Sequence, residues 1–385
     1  MIPVGILTAA ATSSYVGLLD LYPGANAAYS LRKLRNAYTG SAVRISRSND
    51  NLEFDIGFLP NGDFNSVLLA SLVGANSADV KIWYDQSGNG YNATVGFGTT
   101  APLIYEFGVP VLSNSKPSIK KSILGTYLIA SGASGLGNGI QFISSYTAYS
   151  LNSLDIASYL AYEVPTGNGI LAGGSFSTVT GFGIQVNAAL IQATDETISA
   201  NLKLGATKSN TVPNVFFNGV LAATGVTGGI SSFMTLLAGT GSPQQNFYGN
   251  VSEMIFYNSD QSSNNTGINN NINTYYTIFT PTWSGNGTAL LDLYPSAAAA
   301  YSLRNLSSTY LGPLVRVRRS SDNTEQDFYG LYNGQLDTAA LLAFCGAGNG
   351  FVSRWYDQSG TGNNSIQTIA FRQPKIVNSG SLYIQ

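Results

Sequence analysis

Residues 42–48 read AVRISRS and residues 314–320 read LVRVRRS, with apolar side chains alternating with arginine or serine. A period of two predicts half-buried strands at both places. Runs of strand length follow at ASYLAYEV (157–164), GFGIQV (181–186), NVFFNGVLAAT (214–224) and VSEMIFYN (251–258). The Asn-Gly pair at 218–219, set between apolar residues, predicts a hairpin turn. Short strands separated by turn residues predict a mainly β chain folded as a sandwich. Helical spacing shows at two places. In AAYSLRKLRNAY (27–38), Ala28, Leu31, Leu34 and Arg35 fall near a 3.6 period, with Gly40 as the C-cap of a short leading helix. After the last strand, Ile268, Ile272, Tyr275, Tyr276 and Phe279 share one face of a closing helix.

The pattern occurs twice. LLDLYPGANAAYSLRKLRNAYTGSAVRISRSNDNLEFD (18–55) aligns without a gap to LLDLYPSAAAAYSLRNLSSTYLGPLVRVRRSSDNTEQD (290–327), and the offset of 272 carries WYDQSGNGYN (83–92) onto WYDQSGTGNN (355–364). Register held over about 75 residues means duplicated domains, since solenoid repeats run about 20–50 residues. The expected organisation is an arm at 1–14, a β-sandwich domain at 15–282, a Pro/Gly-containing linker at 283–289, and the leading part of a second copy at 290–385. SLYIQ at the end reads as the middle of a strand, so the natural chain is expected to continue.

Composition narrows the function classes. Charged residues make up 10% of the chain, with 18 Lys+Arg against 20 Asp+Glu, so no basic surface recommends a nucleic-acid partner. There is no histidine, which removes the commonest general base and the commonest metal ligand; neither a metal nor a cofactor is expected. The single Cys345 leaves the fold to its core and hydrogen bonds. The opening MIPVGILTAAATSSYVG is apolar, lacks a basic leader and is too short to span a bilayer, so it reads as an arm that docks on another subunit, with no membrane partner.

Candidate chemistry centres on the repeated motif. Gly88 and Gly90 permit a tight turn, Asp85 can accept backbone hydrogen bonds within it, and Trp83 can anchor the loop to the core. The alternative is a sugar site in which Trp83 or Tyr84 stacks and Asp85 accepts a hydroxyl. Trp355, Tyr356 and Asp357 carry the same two readings. A retaining glycosidase needs two carboxylates about 5–5.5 Å apart. After the WYDQSG loop the first copy offers Glu106, Asp155, Glu163, Asp195, Glu196, Glu253 and Asp260. Glu163 and Glu253 sit in strand-like runs, facing either a groove or solvent. Arg44, Arg47, Asp50, Glu53 and Asp55 recur in the second copy and read as an ion-pair network bracing the leading helix to the sheet, with catalysis as the alternative.

A leading helix, an R-x-x-R strand with an acid soon after it, the WYDQSG-x-G-x-N loop and a following Q-P-x-I resemble the front of the α-L-arabinofuranosidase B catalytic domain, over about residues 25–110 and 297–380. That resemblance implies a concanavalin-like (jelly-roll) sandwich. YGNVSEMIFYN is similar to the closing strand of laminin-G and concanavalin-type lectins, and the module is similar to segments of bacteriophage fibre proteins. The arabinofuranosidase pattern around its catalytic carboxylates, and that family's adjacent cysteine pair, have no counterpart here. The sequence therefore predicts a bacteriophage virion structural protein (fibre, spike or decoration component) without enzymatic activity. It would be a homo-oligomer attached to other virion subunits through the N-terminal arm, binding host-surface glycans, assembled in the host cytoplasm and released by lysis. The alternatives are a carbohydrate-binding module of a bacterial surface protein and an arabinofuranosidase-like glycoside hydrolase.

Overall fold

The computed structural model describes residues 15–96, 99–121, 126–130, 140–151, 159–162, 169–172, 181–186, 189–192, 199–209, 212–225, 231–233, 235–237, 247–262, 264–279, 289–310, 312–330 and 334–383. The N-terminal arm expected at 1–14 and the linker lie outside them, apart from Ala289. The chain divides into two compact units, Val16–Thr280 and a second containing Pro281–Gln385.

The first unit opens with one helical turn, α1 (Leu18–Leu21), followed by β1 (Ala25–Ser30), β2 (Val43–Arg47), β3 (Glu53–Ile56), α2 (Ser66–Val73), β4 (Ala78–Trp83), β5 (Ala93–Val95) and β6 (Leu103–Glu106). These strands join a large antiparallel sheet. β2 lies between β3 and β4, and β4 pairs with β5 and β6. β6 reaches Ile119–Lys121, which pairs with Gly249–Tyr257; that strand also pairs with β1 and with Ser144–Leu151. Ser144–Leu151 continues to Ser199–Lys208, Asn214–Phe217 and Val220–Thr224. The sheet curls through the β4–β5 pairing into a second layer, where Leu128–Ala130, Thr235–Leu236, Tyr159–Tyr162, Gly169–Leu171, Gly183–Val186 and Ala189–Gln192 follow in turn. The result is a mainly β sandwich.

Every residue of Ser144–Leu151 and Gly249–Tyr257 is buried, which explains why VSEMIFY shows no alternation. One face, with Tyr149, Leu151, Val251, Met254 and Phe256, fills the core between the layers together with Trp83 and Tyr29. The other face, with Tyr146, Ala148, Ile255 and Tyr257, is covered by α1 and the closing helix α3 (Asn265–Tyr276) through Leu18, Leu19, Tyr22, Ile268, Ile272 and Tyr276.

One local reading changes, and one helix is new. The segment read as a leading helix is strand β1 followed by an irregular turn, because pairing with Gly249–Tyr257 satisfies its backbone and buries Ala27, Ala28 and Tyr29 together. Nonlocal pairing here overrides local helical spacing. The leading helix is instead the turn at Leu18–Leu21, whose Asp20 accepts from the Gly17 and Asn36 amides. The unexpected helix α2 is capped by the Asn65 side chain, which accepts from the Leu68 amide at 3.0 Å. The Asn-Gly hairpin is present, with φ of 49° at Asn218 and 80° at Gly219, as a type I′ turn requires.

The second unit repeats the opening. It contains α4 (Leu290–Leu293), strands Pro313–Arg319, Glu325–Tyr329, Gly350–Trp355 and Lys375–Asn378, and α5 (Thr338–Cys345). Arg316 stands opposite Asp327 as Arg44 stands opposite Asp55, and the register slips at the same place, after Arg44 and after Arg316.

Candidate functional site

β4 ends at Trp83 and delivers the WYDQSG loop against β1. The Asp85 carboxylate accepts four hydrogen bonds: Oδ1 from the Ala28 and Ser87 amides, both at 2.9 Å, and Oδ2 from the Ser87 hydroxyl at 2.7 Å and the Tyr91 amide at 3.0 Å. Gln86, fully buried, accepts from the Leu34 amide and donates to the Ser30 and Arg32 carbonyls. Gly88 and Gly90 sit at φ of 97° and 79°, the left-handed region that favours glycine. The second copy is built alike. Asp357 accepts from the Ala300, Ser359 and Asn363 amides and from the Ser359 and Thr361 hydroxyls. Burial pushes the Asp357 carboxyl up, but these donors outweigh it and hold the group well below the usual carboxylate range.

The six motif residues divide by exposure. Asp85 and Asp357 spend their lone pairs inside the loop. Trp83 is 0% exposed and rests against Tyr29 at a ring distance of 5.7 Å, whereas Trp355 is 39% exposed in the same pairing with Tyr301 at 5.8 Å. Tyr84 and Tyr356 point to the outer face of the sheet, where their hydroxyls donate to Asp55 at 2.8 Å and to Asp327 at 2.7 Å.

The same acids take the arginines. Arg44 makes a two-pronged pair with Asp55 at 2.9 and 2.7 Å, and Arg316 does so with Asp327. Arg44 lowers the Asp55 carboxyl, helped by Tyr84; burial and then the bond to Asp55 push Tyr84 up to about 12. Arg47 pairs with Asp50 and donates to the Leu72 carbonyl at the end of α2. Bracing therefore runs from strand to strand and from strand to α2, not to the predicted leading helix. Glu53 is exposed and makes no ion pair among the described residues.

Of the acids after the loop, Asp155, Glu163, Asp195 and Glu196 lie outside the described residues. Glu253 faces neither a groove nor solvent. It is 0% exposed and bound by Arg32, Ser30 and Tyr276, because both faces of its strand are covered. Glu106 takes Lys120 at 2.6 Å, and Asp260 takes Lys208 at 3.2 Å.

One carboxylate escaped the sequence reading. Asp79 and Lys81, two apart on β4, project from the same face into a cleft of about 330 Å³ lined also by Thr99, Thr100, Lys120 and Thr126. The Asp79 carboxylate accepts no hydrogen bond among the described residues, and burial pushes it above its ordinary range against the pull of Lys81. The signal was present in ADVKIW, where Asp and Lys alternate with buried Ala78 and Val80. In the second copy Phe351 and Ser353 stand at these positions.

Beside the second loop lies a different cleft, of about 280 Å³, lined by Ser307, Thr309, Tyr310, Gln358 and Ser359. In the first copy the position of Ser307 is held by Arg35, whose guanidinium lies against Gly88 and donates to the Ser87 carbonyl at 3.1 Å. Among the described residues no group of three or more His, Cys, Asp or Glu side chains is placed to hold a metal, and no helix is long and apolar enough to cross a membrane.

Residues 292–379 match the protein-family model of the α-L-arabinofuranosidase B catalytic domain. The match is to a catalytic domain. It overturns the expectation of a virion structural component without enzymatic activity, and with it the fibre assignment. An α-L-arabinofuranosidase of Hypocrea jecorina is 40% identical over 73 residues, 19% of this chain and 15% of that protein. An arabinofuranosidase/β-xylosidase of Trichoderma koningii is 40% identical over 70 residues, 18% and 14% of the two chains. The matched stretch thus spans about one seventh of these curated relatives. Among solved structures, an α-L-arabinofuranosidase soaked with a cyclic sulfate inhibitor superposes with a TM-score of 0.53 at 16% identity, over 95% of this chain and 86% of that one. An arabinofuranosidase complexed with arabinofuranosyl-α-1,2-xylobiose gives 0.52 at 17% identity, over 89% and 82%. At these identities the likeness is one of fold.

Proposed function

We propose that the chain is an arabinofuranosidase-type glycoside hydrolase acting on arabinofuranosyl-bearing glycans. The observation that carries this is the match of residues 292–379 to the arabinofuranosidase B catalytic domain. Residues 18–110 support it, because they repeat the same loop staple and the same Arg-Asp-Tyr group. On this reading 15–282 and 290–385 are two copies of one domain.

Hydrolysis needs a carboxylic acid to protonate the leaving oxygen and a second carboxylate as nucleophile or base. Among the described residues Asp79 has the surroundings suited to the acid: it opens on a cleft, is free of hydrogen bonds, and is shifted toward the protonated form. Asp85, Asp357 and Glu253 are committed to structure. The second carboxylate then comes from Glu106, which shares Lys120 with the cleft, or from Asp155, Glu163, Asp195 and Glu196. Phe351 stands at the Asp79 position in the second copy, so this acid belongs to the first copy alone.

The test is an assay of the purified chain on a chromogenic α-L-arabinofuranoside, alongside Asp79→Asn, Glu106→Gln, Asp155→Asn, Glu163→Gln, Asp195→Asn and Glu196→Gln. Turnover that falls by about a hundredfold or more in Asp79→Asn and in one further folded variant is the expected result. A folded wild-type chain that releases no arabinose from any arabinofuranoside sinks the proposal.

A further inference from the structure

The two copies share the frame of the cleft beside the second loop and differ in what fills it. Pro23, Tyr38 and Ser87 recur as Pro295, Tyr310 and Ser359, whereas Arg35 gives way to Ser307 and Ala37 to Thr309. In the first copy the Arg35 side chain lies over the loop, so close that a Cβ added at Gly88 would stand 2.9 Å from a guanidinium nitrogen, and it donates to the Ser87 carbonyl at 3.1 Å. At Gly360 an added Cβ would meet nothing within 4 Å. The Ser359 carbonyl, counterpart of the acceptor of Arg35, accepts no hydrogen bond among the described residues. The cleft of about 280 Å³ is therefore the space of an arginine side chain with its acceptor still in place.

The first copy, which runs on to its closing helix α3, shows that this place stays at the surface of a whole domain. Arg35 is half-buried there, and Asn36, Ala37 and Gly88 are exposed. The surroundings in the second copy favour a cation. The Asp292 carboxylate accepts from the Ser307 hydroxyl and the Ser308 amide, both at 3.1 Å, so a negative group stands one hydrogen bond behind the cleft wall. Burial, then Tyr356 and Asp357, pushes the Tyr310 hydroxyl up to about 12, as neighbouring negative groups do.

We propose that the cleft beside Gly360 binds a guanidinium group, carried by a small molecule or by an arginine of a partner polypeptide, in the place that Arg35 fills in the first copy. The planar fork of donors suits the flat space over Gly360, and one N–H reaches the Ser359 carbonyl as Arg35 reaches that of Ser87. Shape and charge select together: an apolar group of the same size would cover the Ser359 carbonyl without pairing it.

The experiment titrates the isotope-labelled full chain with N-butylguanidinium and follows the backbone amide resonances. The expected result is saturable shifts at residues 307–310 and 358–360, with a dissociation constant on the order of millimolar. N-butylurea, of the same shape without the charge, should bind at least about tenfold more weakly. Ser307→Arg should abolish the shifts, and Arg35→Ser should open a second site, with new shifts at 35–38 and 86–88. Both positions are at the surface, so circular dichroism should show the variants folded. Tighter binding of N-acetyl-arginine amide than of butylguanidinium assigns the group to a polypeptide, and the reverse order assigns it to a small molecule; either supports the site. No saturable shift at these residues, shifts that survive Ser307→Arg, equal binding of butylurea, or a folded Arg35→Ser variant that gains no second site overturns the proposal.

Discussion

Arg32 and Glu253, separated by 221 positions, meet as a buried two-pronged ion pair at 2.7 and 2.8 Å. Both side chains are almost wholly removed from water, at 6% and 0% exposure. The pair lies where β1 gives way to the following turn, on the central strand Gly249–Tyr257. Tyr276 on α3 also donates to Glu253, so sheet, turn and closing helix meet at one carboxylate.

Removing one partner leaves the other charge buried alone. Glu253→Gln and Arg32→Met should each cost about 3–5 kcal/mol, read as a shift of the urea midpoint. The double variant Arg32→Met/Glu253→Met should be closer to wild type than either single variant. If both singles prove neutral, the pair does not organise the core as argued.

The loop staple makes a second prediction. Asp85→Asn places an NH₂ group against at least one of four donors and should cost about 2–4 kcal/mol, and Asp357→Asn should act alike in the second unit. Acid adds a sign. Because the Asp357 carboxyl lies below its ordinary value of 3.8 when folded, its contribution is complete above that pH and is lost as the pH falls through the lower folded value. Acid unfolding of wild type should therefore be steeper than that of Asp357→Asn. Equal acid profiles would mean that Asp357 contributes nothing in this range.

Strand pattern was legible wherever one face is solvated. AVRISRS, LVRVRRS and the Asn218-Gly219 hairpin announce themselves because alternation and turn chemistry are local. Ala28 and Leu31 misled because their backbone is paired with Gly249–Tyr257, more than 200 residues away; spacing near 3.6 arose in a segment whose backbone is satisfied by a distant strand. Glu253 misled for the same reason, since a strand covered on both faces carries no polar side to show which way an acid points. The Asp85 staple was foreseen from its glycines. Asp79 was not, because an acid two residues from a lysine in an alternating strand has the pattern of an ordinary half-exposed sheet face.

Lys121 is the last test, because its chemistry runs against its location. It is 0% exposed and donates to the Leu237 carbonyl at 2.8 Å, and burial pushes its ammonium down to about 7 from 10.5. The unfolded chain thus binds a proton more readily than the folded chain between those two values. Stability should rise with pH across that window and carry the full penalty of burying a charge below it. Lys121→Met removes the titrating group while keeping an apolar stem of similar length. At pH 6 it should be more stable than wild type by about 2–4 kcal/mol, and the advantage should shrink as the pH climbs toward 10.5. Urea titrations of both proteins across this range decide the matter. A difference that stays constant with pH would show that Lys121 keeps its proton in the folded state.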